Sequence, residues 1–289
     1  METFKKNFII IFIFALVVAV FVIWYAVFYF ERHQNLLVTF FDVGQGDAIF
    51  IEAPNGNQVL IDGGPDNRIL SKLGETMPFW DRSVDLLILT HPHADHLDGL
   101  LEVLKRYNIG AVLESGVEYS LPEYKEWHDL LAVKKTPVFL ARAGQEINAG
   151  SGVMIDVFSP FEKVGGKSTE NPHNENIVSR LKYGSGSILL MGDAEKLIEY
   201  RLLFDNYIKL KSDVLKVGHH GSKTSSSEDF IKAVSSKIAI ISVGRKNKYG
   251  HPYQEILERL KKFGINVLRT DIDGDIEFES DGRQFIKAD

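Results

Sequence analysis

The sequence predicts an α/β protein, a four-layer αββα sandwich preceded by one N-terminal transmembrane helix. Three observations carry that prediction. Residues Phe8 to Phe30 form an unbroken run of 23 residues without charge or proline. Downstream, short β-branched runs meet helical patterning twice over, as two sheet-and-helix halves packed sheet to sheet would require. No low-complexity or Pro-rich break divides Leu36 to Asp289, so about 250 residues read as one domain. A chain of 289 residues, 45% hydrophobic and 25% charged, is no disordered protein. It has no cysteine, which excludes disulfides, thiolate nucleophiles and Cys-ligated zinc. Any metal must then sit on His, Asp, Glu or Asn, and there are nine histidines.

At about 1.5 Å per residue, a 23-residue helix crosses a ~30 Å hydrocarbon core. Lys5 and Lys6 precede it and favour a cytoplasmic N-terminus over residues 1–7, with residues 36–289 exported. A cleaved signal peptide is the competing reading, but its apolar region runs only about 7 to 15 residues and ends in small side chains. Here Trp24, Tyr25, Phe28, Tyr29 and Phe30 crowd that end as an interfacial aromatic belt would, so residues 8–30 read as an uncleaved anchor.

After the anchor, Leu36 to Phe41, Ala48 to Glu52 and Gln58 to Ile61 read as strands bounded by turn residues, and Val84 to Thr90 as a buried central strand. Leu97, Leu100, Leu101 and Leu104 make one face of a helix from Leu97 to Tyr107. A second series has strands at Ile188 to Met191, Val214 to Val217, Ile238 to Val243 and Val267 to Thr270. Its helices are expected at Ala194 to Leu203, Glu228 to Ala233 and Tyr253 to Phe263.

The central strand runs into His91-Pro92-His93-Ala94-Asp95-His96. Alternate residues of an extended stretch project to one side, so His91 and His93 can hold one cation, while Asp95 and His96 at the helix start hold a second. Three histidines at that spacing have no role as an ordinary polar loop. The H-x-H-x-D-H signature resembles that of the metallo-β-lactamase-fold superfamily of metallohydrolases. Leu60-Ile61-Asp62-Gly63-Gly64, Met191-Gly192-Asp193-Ala194 and Gly218-His219-His220-Gly221-Ser222 follow in that family's order. The resemblance implies two divalent metal ions, zinc or manganese, on His91, His93, Asp95, His96, Asp193 and His220, with Asp193 bridging. A helix N-cap is a second reading of Asp193.

A narrower resemblance spans Val38 to Ile276. Phe41-Asp42-Val43-Gly44-Gln45-Gly46-Asp47-Ala48, Leu215 to Ser225, Ile241-Ser242-Val243-Gly244, Asn247-Lys248-Tyr249-Gly250-His251-Pro252 and Leu268-Arg269-Thr270-Asp271 are similar to the C-terminal hydrolase domain of the DNA-uptake protein ComEC. The multi-helix channel has no counterpart here, so transport is not implied. Many superfamily members place another histidine on the first metal site before the bridging aspartate, and this chain offers only His173. Judged one residue out of register, His173 reads as a loop histidine, which leaves the first site weak. Asn174 and Asn176 read as turn residues or donors behind the ligands.

His219 reads as a catalytic or substrate-contacting group beside the ligand His220, with a buried, backbone-bonded histidine as the alternative. His251 reads as a proton donor to a leaving oxygen or a phosphate contact, and a helix-start turn is equally compatible. Asp95 is expected to orient the attacking water as well as bind metal. Asp42, Asp47 and Asp62 are expected behind the ligands, fixing histidine tautomers, although a turn role serves Asp42 and Asp47 equally well. His33 and His128 read as surface residues.

Charge is unevenly partitioned. Lys209 to Arg269 holds 13 Lys or Arg against 5 Asp or Glu, a balance of +8 inside a chain of net −6. Lysine with hydroxyl donors beside a dimetal centre suits a phosphate, and Ser222, Lys223, Thr224, Asn247 and Tyr249 are the expected substrate contacts. The expected function is metal-dependent phosphodiester hydrolysis at the outer face of the cytoplasmic membrane, with DNA a candidate substrate. The alternatives are a surface phosphocholine-type esterase, a lactone hydrolase, and a non-enzymatic DNA-holding accessory of an uptake machine.

Overall fold

A computed structural model describes residues 2–32, 35–169, 171–205 and 210–288. His33 and Lys209 lie outside them. Helix α1 (Glu2–Arg32) contains the apolar stretch Asn7–Tyr25, long and apolar enough to cross a membrane, with none of it buried against the rest of the chain. The first half then runs β1 (Leu36–Phe40), β2 (Ile49–Glu52), β3 (Gln58–Ile61), α2 (Arg68–Thr76), β4 (Ser83–Leu89), α3 (Ala94–Arg106), β5 (Asn108–Glu114), α4 (Pro122–Lys134) and β6 (Val138–Leu140). The second runs β7 (Glu146–Gly150), β8 (Val153–Ser159), β9 (Val178–Tyr183), β10 (Gly186–Leu190), α5 (Lys196–Phe204), β11 (Val214–Lys216), α6 (Glu228–Val234), β12 (Ile238–Ile241), α7 (Gln254–Lys262) and β13 (Asn266–Arg269). A short α8 (Thr270–Asp273) leads into the hairpin β14 (Ile276–Ser280) and β15 (Phe285–Lys287).

Two sheets result, one in the order β15-β14-β1-β2-β3-β4-β5-β6 and one in the order β13-β12-β11-β10-β9-β8-β7. Period-2 alternation sorts their side chains into layers. Leu36, Val38 and Phe40 of β1, Ile88 of β4, and Ile188 and Leu190 of β10 fill the core between the sheets. Leu87 and Leu89 of β4 face α2, α3 and α4, whereas Leu189 and Leu215 face α5, α6 and α7. Burial on both faces explains why the parallel strands β4, β11 and β12 read as continuous apolar runs. The αββα sandwich is the predicted fold.

The two halves are not a simple duplication. The hairpin β14–β15 crosses back and pairs with β1, Phe40 opposite Ile276. Every carboxyl end of β1, β3, β4, β10, β11 and β12 then opens on one edge of the sandwich, and the candidate ligands lie there.

Candidate metal centre

Strand β4 delivers Thr90 and His91, and α3 starts immediately behind them. Its first turn lies backbone to backbone on the loop after β3: the Gly63 amide donates to the His96 carbonyl at 2.8 Å, and the Gly99 amide to the Gly64 carbonyl at 2.9 Å. A Cβ at Gly99 would strike the Gly63 carbonyl, so only glycine lets α3 approach closely enough to aim Asp95 and His96 at the centre.

Two groups of side chains converge. His91, His93 and His173 form one, with the His93 Nδ1 atom 3.0 Å from the Nε2 atoms of both His91 and His173. Asp95, His96, Asp193 and His220 form the other. Asp193 faces both. Its Oδ2 lies 3.4 Å from His96 Nε2 and 3.9 Å from the Nε2 atoms of His91 and His173, while Oδ1 lies 3.5 Å from His220 Nε2. A carboxylate buried to 2% exposure thus stands between the two groups.

His173 corrects the expectation from sequence. The Asn171 side chain accepts from the His173 amide and caps a 3₁₀ turn over Pro172–Glu175. That turn swings the ring back over His91 and His93, whereas a register counted along an extended strand carried it away. The ground for expecting a weak first site is removed with it.

The donors have the right chemistry for cations. Asp62, fully buried, accepts from the Thr90 amide, the Thr90 hydroxyl at 2.7 Å and His96 Nδ1 at 2.7 Å. With its hydrogen given to Asp62, the Thr90 hydroxyl can only accept from His91 Nδ1, 3.1 Å away. One carboxylate thus fixes two imidazoles with Nε2 facing inward. His220 Nδ1 donates to the Ser242 carbonyl at 2.8 Å, which turns its Nε2 inward as well. His96 Nε2, His220 Nε2 and Asp193 Oδ1 are buried without a hydrogen-bond partner among the described residues. Such orphaned atoms in one spot call for a cation. Burial opposes charge on His220, yet Asp193, Asp95 and Asp47 outweigh it and hold its pKa up at about 10. His96 is likewise raised against burial by Asp193, Asp62 and Asp95.

Both His219 and His220 adopt a left-handed backbone, φ 49° and 52°, uncommon for side chains of this size and concentrated at functional sites. His219 sits at the rim. Its Nδ1 contacts the Thr224 hydroxyl at 3.1 Å and Glu195 Oε1 at 3.3 Å, and its Nε2 lies 3.9 Å from Asp193 Oδ2. The buried, backbone-bonded alternative for His219 does not hold. His251 stands opposite, its ring 5.7 Å from that of His219. Burial, with His220 and His219 nearby, lowers its pKa to about 4, which favours a neutral imidazole with one donor and one acceptor nitrogen.

Other expected contacts are redistributed. Asn247 is committed to its own loop, donating to the Gly244 and His251 carbonyls and accepting from the Tyr249 and His251 amides. Ser222 is buried and accepts from the Thr224 amide, and Ser225 donates to the Gly218 and Ser222 carbonyls. Of the expected substrate contacts, Lys223, Thr224 and Tyr249 stay exposed at the rim. Asp42 accepts from the Gly44 amide and is a turn residue. Asp47 lies behind His220, 3.4 Å from its Nδ1, and pairs with buried Lys216. His128 is half-exposed, 3.6 Å from Glu114.

Sequence reasoning missed Lys216, Glu195 and the work of Thr90. Asn176 was read as a turn residue or donor, and it grips the Met191–Asp193 turn: it donates to the Met191 carbonyl and accepts from the Asp193 amide. Glu195 reaches the rim residue His219 at 3.3 Å and His173 of the ligand group at 3.7 Å.

The sequence pattern of the metallo-β-lactamase superfamily matches residues 41–245. ComE operon protein 3 of Bacillus subtilis (strain 168) is 34% identical over 266 residues, 85% of this chain and 33% of that protein. Competence protein ComA of Neisseria gonorrhoeae is 30% identical over 255 residues, 87% of this chain and 33% of that protein. This chain spans about a third of the length of these relatives. In fold, it superposes on the metallo-β-lactamase-fold protein YhfI from Bacillus subtilis with a TM-score of 0.59 at 12% identity, over 85% of this chain and 100% of that one.

Proposed function

We propose that this chain, which belongs to the metallo-β-lactamase superfamily and is a relative of competence proteins, is a membrane-anchored, metal-dependent phosphodiesterase with nucleic acid as its leading substrate. The observation that carries the reading is the buried Asp193 carboxylate, which lies 3.4 to 3.9 Å from nitrogens of both partly buried ligand groups. His91, His93 and His173 would hold one divalent ion and Asp95, His96 and His220 the other. A bound pair of such ions supplies Lewis acidity and a water deprotonated near neutral pH, and nitrogen and oxygen donors of this kind admit zinc or manganese.

The chain's own groups do the rest. Asp95, the most accessible of the carboxylates in that group, has Oδ2 3.4 Å from His220 Nε2 and can orient a water beside Asp193. His219, steadied by Thr224 and Glu195, turns an imidazole edge toward the same point. Lys223 and the Thr224 hydroxyl line the rim, where a charged and a neutral donor suit the oxygens of a phosphodiester. The basic balance of Lys209 to Arg269 favours a polyanion over a neutral ester or lactone.

Helix α1 fits a membrane span, and Lys5 and Lys6 favour a cytoplasmic N-terminus with the domain outside. Protease added to cells stripped of their wall should digest the domain, and protection until lysis would invert the topology. For the chemistry, the full chain loaded with zinc or manganese should cleave a generic phosphodiester and single- or double-stranded DNA. Asp95→Asn should abolish turnover. Salt-sensitive DNA binding without hydrolysis by any metal form would replace the enzyme with a DNA-holding accessory.

A further inference from the structure

We propose that the turn Pro78–Asp81 docks the domain on the lipid bilayer: Phe79 and Trp80 insert into the bilayer's interfacial layer and hold the metal centre pointing away from it. The proposal rests on the reading of α1 as a membrane span. The Asp81 amide donates to the Pro78 carbonyl at 2.9 Å, so Phe79 and Trp80 occupy the two central positions of a β-turn. Those positions favour Gly, Asn, Asp, Ser and Pro, and the turn itself gives no reason for two large aromatics. They are 82% and 59% exposed, and their rings meet edge to face at 4.8 Å as one apolar knob. The knob stands on a braced base. Asp81 accepts from the Ser83 amide and hydroxyl, and from Gln58 Nε2 at 2.9 Å.

Its place in the fold identifies the partner. Leu37 of β1 pairs with Glu52, Glu52 with Gln58, and β3 runs parallel to β4 with Val59 beside Leu86. The start of β1 and the start of β4 therefore share one end of the sheet, three strand spacings or about 15 Å apart. Between Arg32, where α1 ends, and Leu36, where β1 begins, the chain can span at most ~15 Å. Counted from Phe30, the last residue of the apolar run, two more helical residues and that link put the edge of a bilayer crossed by α1 within about 20 Å of that end, the end from which the aromatic pair projects. Tryptophan and other aromatics prefer membrane interfaces. Val133, 79% exposed near the end of α4, lies at the same end with Lys134 and Lys135. The metal centre is at the other end of β4, roughly 20 Å away for its seven residues.

The test uses the full chain carrying Trp24→Phe in phosphatidylcholine vesicles, so that Trp80 is the exposed indole and Trp127 the fully buried one. Trp80 emission should be blue-shifted, and it should be lost when brominated phosphatidylcholine replaces the ordinary lipid. Adding Trp80→Phe should remove the quenchable component and leave the Trp127 signal. A chain that floats with the vesicles while Trp80 emits as a water-exposed, unquenched indole would overturn the docking turn and leave the anchor standing. Blue-shifted but unquenched emission would assign the pair to a protein contact, a second copy included, and overturn it too. A chain that does not float would overturn anchor and docking together.

Discussion

Asp62 shows how much of the centre depends on one side chain standing behind the ligands, hydrogen-bonded to His96 Nδ1 at 2.7 Å. Its carboxylate sets the His96 tautomer directly and the His91 tautomer through Thr90. Asp62→Asn places an amide where a second acceptor is needed, so metal affinity should fall at both positions by about 10- to 100-fold. Competition with a chromophoric chelator measures this, and Asp42→Asn, changed at a turn, should leave affinity unchanged. His173→Ala should strip the ion from the His91 and His93 position and spare the other, since Asp95, His96, Asp193 and His220 remain. Metal analysis after dialysis should then find one ion per chain. Two retained ions would return His173 to the status of a loop residue. At this scale the sequence was readable wherever ligands are neighbours, as in His91 to His96, because strand and helix periodicity aim them. His173 was misread because a 3₁₀ turn, set by Asn171, breaks the period on which the register argument relied. Lys216 and Glu195 were invisible for another reason. Their partners lie 169 residues away for Lys216 and 22 and 24 residues away for the histidines that Glu195 meets, and no local pattern marks them.

The elements meet beneath the centre through polar links as well as apolar ones. Lys216 on β11 reaches across to Asp47, which precedes β2, so a buried ion pair ties one sheet to the other. Lys216 also donates to the Gly192 carbonyl at 3.2 Å, next to Asp193. Lys216→Met leaves the Asp47 carboxylate buried without its cation and should cost about 3–5 kcal/mol of stability. Urea unfolding measures that loss, and Lys216→Met with Asp47→Leu should recover most of it because no lone charge remains. An unchanged midpoint in the single variant would mean that the pair stores no such energy. Strands β4 and β10 were legible as apolar runs because both of their faces are covered. Helices α2 and α4 and strand β7 were not, since their apolar positions are few and interleaved with polar residues. The return of β14 to β1 depends on an alternating Ile-Glu-Phe-Glu-Ser pattern that marks a half-buried strand without saying which sheet it joins.

Over the whole molecule, charge and topology divide the labour. The segment Lys209 to Arg269 carries a balance of +8 in a chain of net −6, and it supplies His219, Lys223 and Thr224 to the rim of the metal centre. Lys223 is exposed three residues after His220, its Nζ 5.6 Å from the Tyr253 ring, and is the lysine proposed to meet a phosphate at the centre. Lys262, the last residue of α7, carries the same charge, but its Nζ is paired with Glu228 at 2.8 Å. If the bound polymer is a nucleic acid, each phosphate neutralised by a free lysine releases condensed counterions, and the log-log dependence of affinity on salt records them. Lys223→Ala should therefore flatten that slope by roughly 0.7 to 0.9 and weaken binding at low salt while leaving metal content intact. Lys262→Ala should leave the slope unchanged, because that lysine is already neutralised by Glu228. Fluorescence anisotropy of a labelled single strand, over a salt series with a catalytically silent Asp95→Asn background, supplies both slopes. Equal slopes for Lys223→Ala and the parent would remove this lysine from the phosphate path, whereas a loss shared equally by Lys262→Ala would reduce the basic segment to a diffuse field without a defined contact at the rim.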